Sequence, residues 1–261
     1  MFELTYTPDN PAKQLLKSVG LWEALRKIAF STSHLWGRIL RPWAIWRYLN
    51  THSITRKLQI GCQLNLLPGW LNTDLIPLPR GVVYMDATRR FPFPDRTFDY
   101  IFSEHLIEHV PFRSGCFMLR ECFRVLKPSG KLRIATPNLR TLVALLGGEL
   151  SEVQCQYILY TNAWAWGINA ECMEPHHPAL AFNYQMHLNG GHRFIWDFVL
   201  LQAILNKIGF GDVLETEPCA SDDVNLQNVE FHWRFTGHDL NRLETLVVEA
   251  RRPAADRKLG G

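Results

Sequence analysis

Short apolar runs recur through the middle of the chain and predict a buried, mostly parallel sheet. These runs end near residues 60, 74, 84, 102 and 135, and most of them are separated by segments with helical spacing. Strands that alternate with helices in this way are typical of α/β folds. Near the C-terminus, the alternation over 243–250 and a run at 210–216 predict an antiparallel hairpin, with an irregular and exposed segment between its strands.

The first 56 residues have a different pattern, which predicts an N-terminal helical arm. Apolar residues at three-to-four spacing indicate one helix around 10–30, and a second is expected over 42–49. Basic residues outnumber acidic ones here, and four tryptophans lie among them. Two interpretations stay open: the arm covers the sheet or the active site, or residues 10–50 make a peripheral contact with an anionic membrane surface.

Composition narrows the class of protein. With 261 residues, 47% of them hydrophobic and 20% charged, the chain suffices for one α/β domain, expected over 57–252, and a flexible tail over 253–261. A net charge of +3 gives no reason to expect nucleic acid as a partner. The six cysteines are scattered, and neither a signal peptide nor an apolar run of about 18 residues is present, so a cytoplasmic location is expected.

The stretch KLQIGCQLNLLPGWLNTD at 57–74 carries the first candidate site. A buried strand ends at Gly61, and Asp74 stands at the tip of the next strand. Open α/β sheets hold nucleosides in this way, because glycine lets the backbone approach the ligand and the carboxylate takes the ribose hydroxyls. Plain structural roles are also open: Gly61 could turn the chain and Asp74 could cap the next segment. Likewise Asp86, after the third strand, could accept from an exocyclic amine or form an Asx turn.

Five motifs in order resemble those of one family. They are LQIGC, GWLNTD, the Asp-Ala pair after the third strand, FPFPDRTFDYIFSEHLIEHV and LRECFRVLKPSGKLRIATPN. Together they are similar to class I S-adenosylmethionine-dependent methyltransferases, of the short, type 11-like branch, over roughly 58–138. The resemblance implies a Rossmann-like α/β sheet of seven strands with helices on both faces. It also implies S-adenosyl-L-methionine as the cofactor.

The same resemblance assigns roles by position. Gly61 and Cys62 match the start of the glycine loop under the methionine part of the cofactor, and Asp74 matches the residue that holds the ribose. Further matches lie near the adenine and at the end of the fourth strand: Asp86, Ala87, Ser103 and His105.

Gln63 departs from the family pattern G-C-G. If that position needs a positive φ, a residue other than glycine costs about 1–2 kcal/mol. The Gln63 side chain could fill the space of the cofactor's carboxylate tail, or its amide could bond that tail. Gln63 therefore belongs to the expected cofactor-binding set.

Catalytic candidates follow the fourth strand. A helix that starts near Glu104 would place His105, Glu108 and His109 on one face, as a general base with a carboxylate that orients it. The three residues also resemble the carboxylate/histidine metal cluster of some methyltransferases, but they lack its first glutamate, and no metal is expected. A structural role is open too, in which Glu108 and His109 fix the helix by hydrogen bonds.

An insertion at about 139–194 is expected to build the acceptor pocket, as insertions at this point usually do in this fold. Its aromatic residues would suit a sugar or polyol, although packing in a core also explains them. His192 follows two glycines and is a candidate base, a rival of His109. The expected function is methyl transfer, at oxygen, to a small-molecule or glycan-type acceptor. The alternative is a methyltransferase-like binding or scaffold protein that has lost turnover.

Overall fold

A seven-stranded sheet forms the centre of the protein. The computed structural model describes residues 17–18, 21–52, 54–77, 81–166, 177–189 and 191–254. The strands are β1 (Lys57–Ile60), β2 (Leu71–Asp74), β3 (Val83–Tyr84), β4 (Phe98–Glu104), β5 (Leu126–Pro137), β6 (Gly211–Thr216) and β7 (Thr245–Arg251). Their order is β3-β2-β1-β4-β5-β7-β6, with β1 to β5 parallel and β7 antiparallel to β5 and β6. The predicted seven strands and the antiparallel last pair are confirmed.

Eight α-helices accompany the sheet in the part of the chain that the structure describes. They are α1 (Leu21–Thr51), α2 (Phe112–Val125), α3 (Leu139–Ala144), α4 (Glu152–Trp166), α5 (Pro178–Asn183), α6 (Phe198–Ile208), α7 (Trp233–Thr236) and α8 (His238–Glu244). A 3₁₀ turn at Ile107–His109 and a π-helical turn at Tyr184–Leu188 complete the set. None of the described helices is long and apolar enough to cross a membrane.

Helices cover one face of the sheet. Leu58 on β1, Ile101 on β4 and Ile134 on β5 are buried on this face, against α2, α6 and the end of α1. The ends of α6 follow the usual capping rules. Asp197 accepts from the backbone N–H of Leu200, and α6 ends at a glycine with a φ of 118°. The largest apolar core of the described residues therefore lies between the sheet and these helices.

The opposite face of the sheet is covered by the irregular segment 217–232. The loop between β1 and β2 holds no helix that could cover it. Phe102, the neighbour of Ile101 on β4, points to this second face and packs against Leu226 and Val229. The fully buried Arg133 donates to Glu230 and to Glu249, which ties the segment to the sheet.

The segment between β6 and β7 thus corrects one prediction. It was expected to be irregular and exposed, yet Leu226, Val229 and Glu230 are buried because they replace a missing helical layer. Residues 243–244, expected in the last strand, belong to α8.

One continuous helix, α1, replaces the two helices that were expected in the arm. Residues 10–16 and 19–20 of the first expected helix lie outside the described residues. Pro42 lies inside α1, where it removes a backbone hydrogen bond. Packing holds the helix on both sides of this proline: a Cβ on Gly37 would lie 2.8 Å from Pro77, and the Tyr48 hydroxyl donates to the Lys57 carbonyl at 2.8 Å. Tertiary contacts therefore override the proline signal.

The chain between β5 and α6 forms a second, smaller core beyond the end of β5. Leu142 of α3, Tyr157 and Ile158 of α4 and Ala181 of α5 are buried there. The Asn138 side chain caps the N-terminus of α3 by accepting from the backbone N–H of Arg140. The chain therefore passes directly from β5 into the helices of this second core. These helices lie next to the edge of the sheet at which the parallel strands end.

Candidate active site

The loop after β1 has the left-handed backbone that the glycine pattern implies. Gly61 has a φ of 70°, and a Cβ there would lie 2.9 Å from the Leu106 side chain. Gln63 also takes a positive φ, of 45°, and its backbone N–H donates to Asp74 Oδ2 at 2.9 Å. The departure from glycine therefore does not abolish the loop geometry. A charge-assisted hydrogen bond offsets part of the strain.

Asp74 stands at the end of β2 with capacity to bind a ribose. Its Oδ1 accepts from the backbone N–H of Ile76 at 2.8 Å, so each carboxylate oxygen has one backbone donor. A carboxylate offers about four lone-pair sites, which leaves room for two hydroxyl donors. The neighbouring Cys62 is buried, and burial together with the Asp74 charge raises the pKa of its thiol to about 12. Cys62 therefore stays protonated, and its backbone forms part of the loop.

Asp86 is held within its own loop, as the Asx-turn interpretation predicts. Its Oδ1 accepts from the backbone N–H of Thr88 at 2.9 Å and from the Thr88 hydroxyl at 2.6 Å. Its Oδ2 lies 3.2 Å from Arg89 Nε. Ala87 beside it is buried. The adenine contact of both residues stays a prediction.

Two buried polar atoms at the end of β4 have no hydrogen-bond partner among the described residues. They are Ser103 Oγ and His105 Nε2. Buried polar atoms without a partner are uncommon in folded proteins. Ser103 pairs in register with Ile60, directly before the glycine loop. The residues at this edge, with left-handed Gly61, the Asp74 carboxylate and two orphaned polar groups, fit a ligand such as S-adenosylmethionine.

The helix expected to start near Glu104 does not form there, because α2 begins only at Phe112. Glu104 accepts from the backbone N–H groups of Phe231 and His232, each at 2.9 Å, which holds the strand end extended. Pro111 further favours an extended Val110 before it. His105 itself has a φ of 45°, so it shares no helical face with Glu108 and His109.

Glu108 nevertheless lies at the centre of a buried polar cluster. His105 Nδ1 donates to its Oε1 at 3.1 Å, and the Thr136 hydroxyl donates to its Oε2 at 3.0 Å. Burial raises the pKa of Glu108, but the neighbouring histidines outweigh it and lower the pKa to about 2. For His105, burial lowers the pKa, but the Glu108 hydrogen bond and nearby carboxylates raise it to about 9. Near neutral pH the pair is a carboxylate and an imidazolium, so His105 does not serve as a base.

The two rival bases, His109 and His192, lie together. Their ring centroids are 4.7 Å apart. The Glu108 carbonyl accepts from the backbone N–H groups of Arg193 and Phe194, which brings the loop of His192 to the 3₁₀ turn. His192 Nδ1 donates to the Gln185 carbonyl at 2.6 Å, so Nε2 keeps its lone pair. Burial lowers the pKa of His192, and a neutral imidazole near pH 7 follows.

Glu108, His109 and His192 also have the chemistry of a metal site. Each presents one ligand atom, and the three atoms lie within 4.8 Å of one another. Two imidazoles and a carboxylate suit divalent iron, manganese or zinc. The sequence alone did not bring His192 into this group, because no spacing rule links it to residue 108.

Other members of this polar region were missed by the sequence analysis. The His232 ring lies 4.1 Å from that of His105, and its Nε2 donates to Glu244 Oε1 at 2.7 Å. Tyr157, on α4, accepts from the Gln185 amide at 2.7 Å. They come from segments far apart in the chain, and no local motif marks them.

The aromatic residues expected to line the acceptor pocket are divided between the surface and the second core. Trp164 is 61% exposed and meets Tyr184 edge to face, with centroids 5.7 Å apart. Phe182 packs in the second core instead. A cavity of about 600 Å³ lies elsewhere, beside the ends of β5 and β6, and none of the predicted site residues lines it. The geometry at Glu108, His109 and His192 is therefore the stronger indication of a reactive centre.

One family model matches part of the chain. Residues 72–134 match the family model described as "Methyltransferase domain". No curated protein matches the chain.

Similar solved structures include a SAM-dependent methyltransferase from Archaeoglobus fulgidus, at 19% identity and a TM-score of 0.44, covering 88% of this chain and 100% of that one. A methyltransferase from Mesorhizobium loti has 17% identity and a TM-score of 0.42, covering 80% and 98%. Phosphoethanolamine N-methyltransferase 2 of Haemonchus contortus, solved with S-adenosyl-L-methionine, has 17% identity and a TM-score of 0.39 over 76% of this chain. The present chain spans only 49% of that protein.

The family match begins within β2 and ends within β5, and so covers the strands on both sides of β1. It contains Asp74, Asp86, Ser103 and the Glu108 turn, and the sheet has the predicted seven strands. Over residues 72–134 the chain is therefore similar to a methyltransferase domain, within a sheet that has the expected seven strands and antiparallel last pair.

Proposed function

We propose that this protein transfers a methyl group from S-adenosyl-L-methionine to a hydroxyl of a small-molecule acceptor. The carrying observation is the convergence of His109 and His192 beside the buried carboxylate of Glu108. This cluster follows β4, the neighbour of the strand that leads into the glycine loop. A base beside the expected methyl donor is what transfer to a hydroxyl needs.

Gly61, Asp74, Ser103 and His105 would hold the cofactor, which supplies a methyl group on a sulfonium whose S–C bond breaks during transfer. His192 Nε2 takes the proton as the acceptor O–H bond breaks and the new O–C bond forms. The Gln185 carbonyl keeps the proton of His192 on Nδ1, which fixes the tautomer. Glu108 stabilises the imidazolium that results, and His109 orients the acceptor beside it.

A glycan or another polyol is the acceptor class that the surface favours. Trp164 presents an exposed ring next to Tyr184, and flat apolar rings of this kind stack on the C–H faces of sugars. Tyr184 belongs to the same π-helical turn as Gln185, whose carbonyl accepts from the His192 ring.

Labelled cofactor and a panel of small-molecule and glycan acceptors provide the test. Once an acceptor is found, His192→Ala should lower kcat about 10²-fold or more, with unchanged affinity for S-adenosylhomocysteine. His238→Ala is the matched control, because His238 stacks on Trp233 outside the cluster. Near-full turnover in both His109→Ala and His192→Ala would contradict the proposal. Assays with and without EDTA separate a histidine base from action through a bound ion.

The alternative is a binding or scaffold protein without turnover. The exposed Gln63, in place of glycine at a left-handed position, is the observation behind it. Tight binding of S-adenosylhomocysteine without transfer to any acceptor would favour this alternative. An absence of cofactor binding would exclude the proposed activity altogether.

A further inference from the structure

One face of α1 carries large apolar side chains that no described part of the chain covers. The tryptophan stripe consists of residues that are each between 55% and 63% exposed: Trp36, Ile39, Leu40, Trp43 and Trp46. At 100° per residue, these five positions fall within one arc of about 120° around the helix. The opposite side of α1 buries Ile45 and Tyr48 against the sheet.

A helix with apolar residues on both sides is expected to be buried on both sides. Contiguous exposed apolar surface of this kind marks a site of interaction with a partner or a membrane. The stripe is therefore expected to contact a partner or a membrane, and the charges of α1 indicate which of these it contacts.

No Asp or Glu occurs between Ala24 and Thr51, whereas five arginine and lysine residues do. The Arg47 guanidinium lies 5.5 Å from the Trp43 ring centroid, and at 100° per residue Arg47 falls within the arc of the stripe. Long basic side chains extend in this way from an apolar surface toward charged groups in water. A second copy of the stripe would bring like charges together, so self-association is disfavoured.

More basic residues gather where α1 meets the sheet. Arg38 and Arg41 of α1 line a cavity of about 140 Å³ together with Arg89 and Arg90. Asp86 is the one carboxylate among the lining residues, and it already pairs with Arg89. These guanidinium groups face the sheet, on the side of α1 opposite the stripe, and add to the positive potential around the helix.

We infer that α1 docks the protein on anionic membrane surfaces, with the tryptophan stripe at the boundary between headgroups and acyl chains. Tryptophan at this depth, on a helix that carries basic but no acidic residues between Ala24 and Thr51, is typical of an interfacial helix. The inference rests on α1 and its surroundings and is independent of the proposed methyl transfer.

Co-sedimentation of the full chain with vesicles tests it. Binding to vesicles of phosphatidylglycerol and phosphatidylcholine should exceed binding to pure phosphatidylcholine and should weaken with salt. Trp36→Ser/Trp43→Ser should lower the partition coefficient by about tenfold or more, and Arg47→Glu should reduce the preference for anionic lipid. Trp164→Ser, at a tryptophan of similar exposure outside α1, is the matched control and should bind like the unmodified protein.

Thermal melting of each variant confirms that it is folded. Absence of vesicle binding by the unmodified chain, or equal binding by Trp36→Ser/Trp43→Ser, would overturn the inference. A dimer in analytical ultracentrifugation that this double substitution dissociates would also overturn it, because the stripe would then bind a second copy.

Discussion

The proposed cofactor half and the proposed acceptor half of the sheet edge are built in different ways. In the cofactor half, one short stretch supplies Gly61, Gln63 and Asp74, and a hydrogen bond from Gln63 to Asp74 closes it. In the acceptor half, the contacts are long-range: Glu104 holds the backbone of His232, and the Glu108 carbonyl holds the loop of His192. The first half depends on local backbone geometry, and the second depends on the packing of the whole domain.

The largest effect on stability should come from removing Arg133, which holds the segment 217–232 to the sheet through long-range ion pairs. Arg133→Ala leaves Glu230 and Glu249 as buried carboxylates without their cation, which should destabilise the fold by about 3–5 kcal/mol in urea unfolding. Arg251→Ala, at an exposed arginine on β7, is the control and should change stability by about 0.5 kcal/mol or less. A loss of stability below about 1 kcal/mol for Arg133→Ala would show that these ion pairs do not hold the segment 217–232 on the sheet.

A change in the local half should affect binding more than folding. Asp74→Asn removes the charge that assists ribose hydrogen bonds but keeps one acceptor oxygen for the backbone. Affinity for S-adenosylhomocysteine should fall at least about tenfold, which corresponds to about 1.4 kcal/mol. Asp222→Asn is the control, because Asp222 is exposed in the segment 217–232, and it should leave affinity for S-adenosylhomocysteine unchanged. Equal calorimetric affinities for Asp74→Asn and the unmodified chain would remove Asp74 from the site.

Low pH should lower the stability of the fold by protonating the Asp223 carboxylate, which makes long-range contacts with Lys131 and Tyr100. Burial raises the pKa of this carboxyl, but Asn225, Lys131 and Tyr100 bond to it and lower its pKa to about 2. Because the folded pKa lies below the unfolded value of about 3.9, the stabilisation is present above pH 4 and is lost as the pH falls through 2. The Tm of Asp223→Asn should therefore lie below that of the unmodified protein at pH 4, and this difference should shrink as the pH falls to 2. A gap that stays constant over this range contradicts the assignment.

The smallest effect should come from Gln63→Gly. It relieves a left-handed residue, worth about 1–2 kcal/mol, but adds about 0.5–1 kcal/mol of chain entropy to the unfolded state. A net gain of about 1 kcal/mol or less in the free energy of unfolding should result, measured by urea titration. A clear loss of stability would mean that the Gln63 side chain makes a stabilising contact.

The same contrast explains how much the sequence could predict. The strand that ends at Gly61, the place of Asp74 at the tip of the next strand and the antiparallel last pair follow from local patterns, since glycine conformation and strand alternation are encoded within a few residues. The meeting of His109 with His192, and of His105 with His232, depends on how distant segments pack. The helix expected at Glu104 failed for the same reason, because the backbone of Phe231 and His232 holds that carboxylate.

Amide hydrogen exchange with and without S-adenosylhomocysteine is the decisive test for a cofactor site at this edge of the sheet. The ligand should slow exchange in the loop from Gly61 to Asp74 and around Ser103, and should leave exchange in α7 and the tryptophan stripe unchanged. Protection confined to other segments, or no protection at saturating ligand, would contradict a cofactor site at this edge of the sheet.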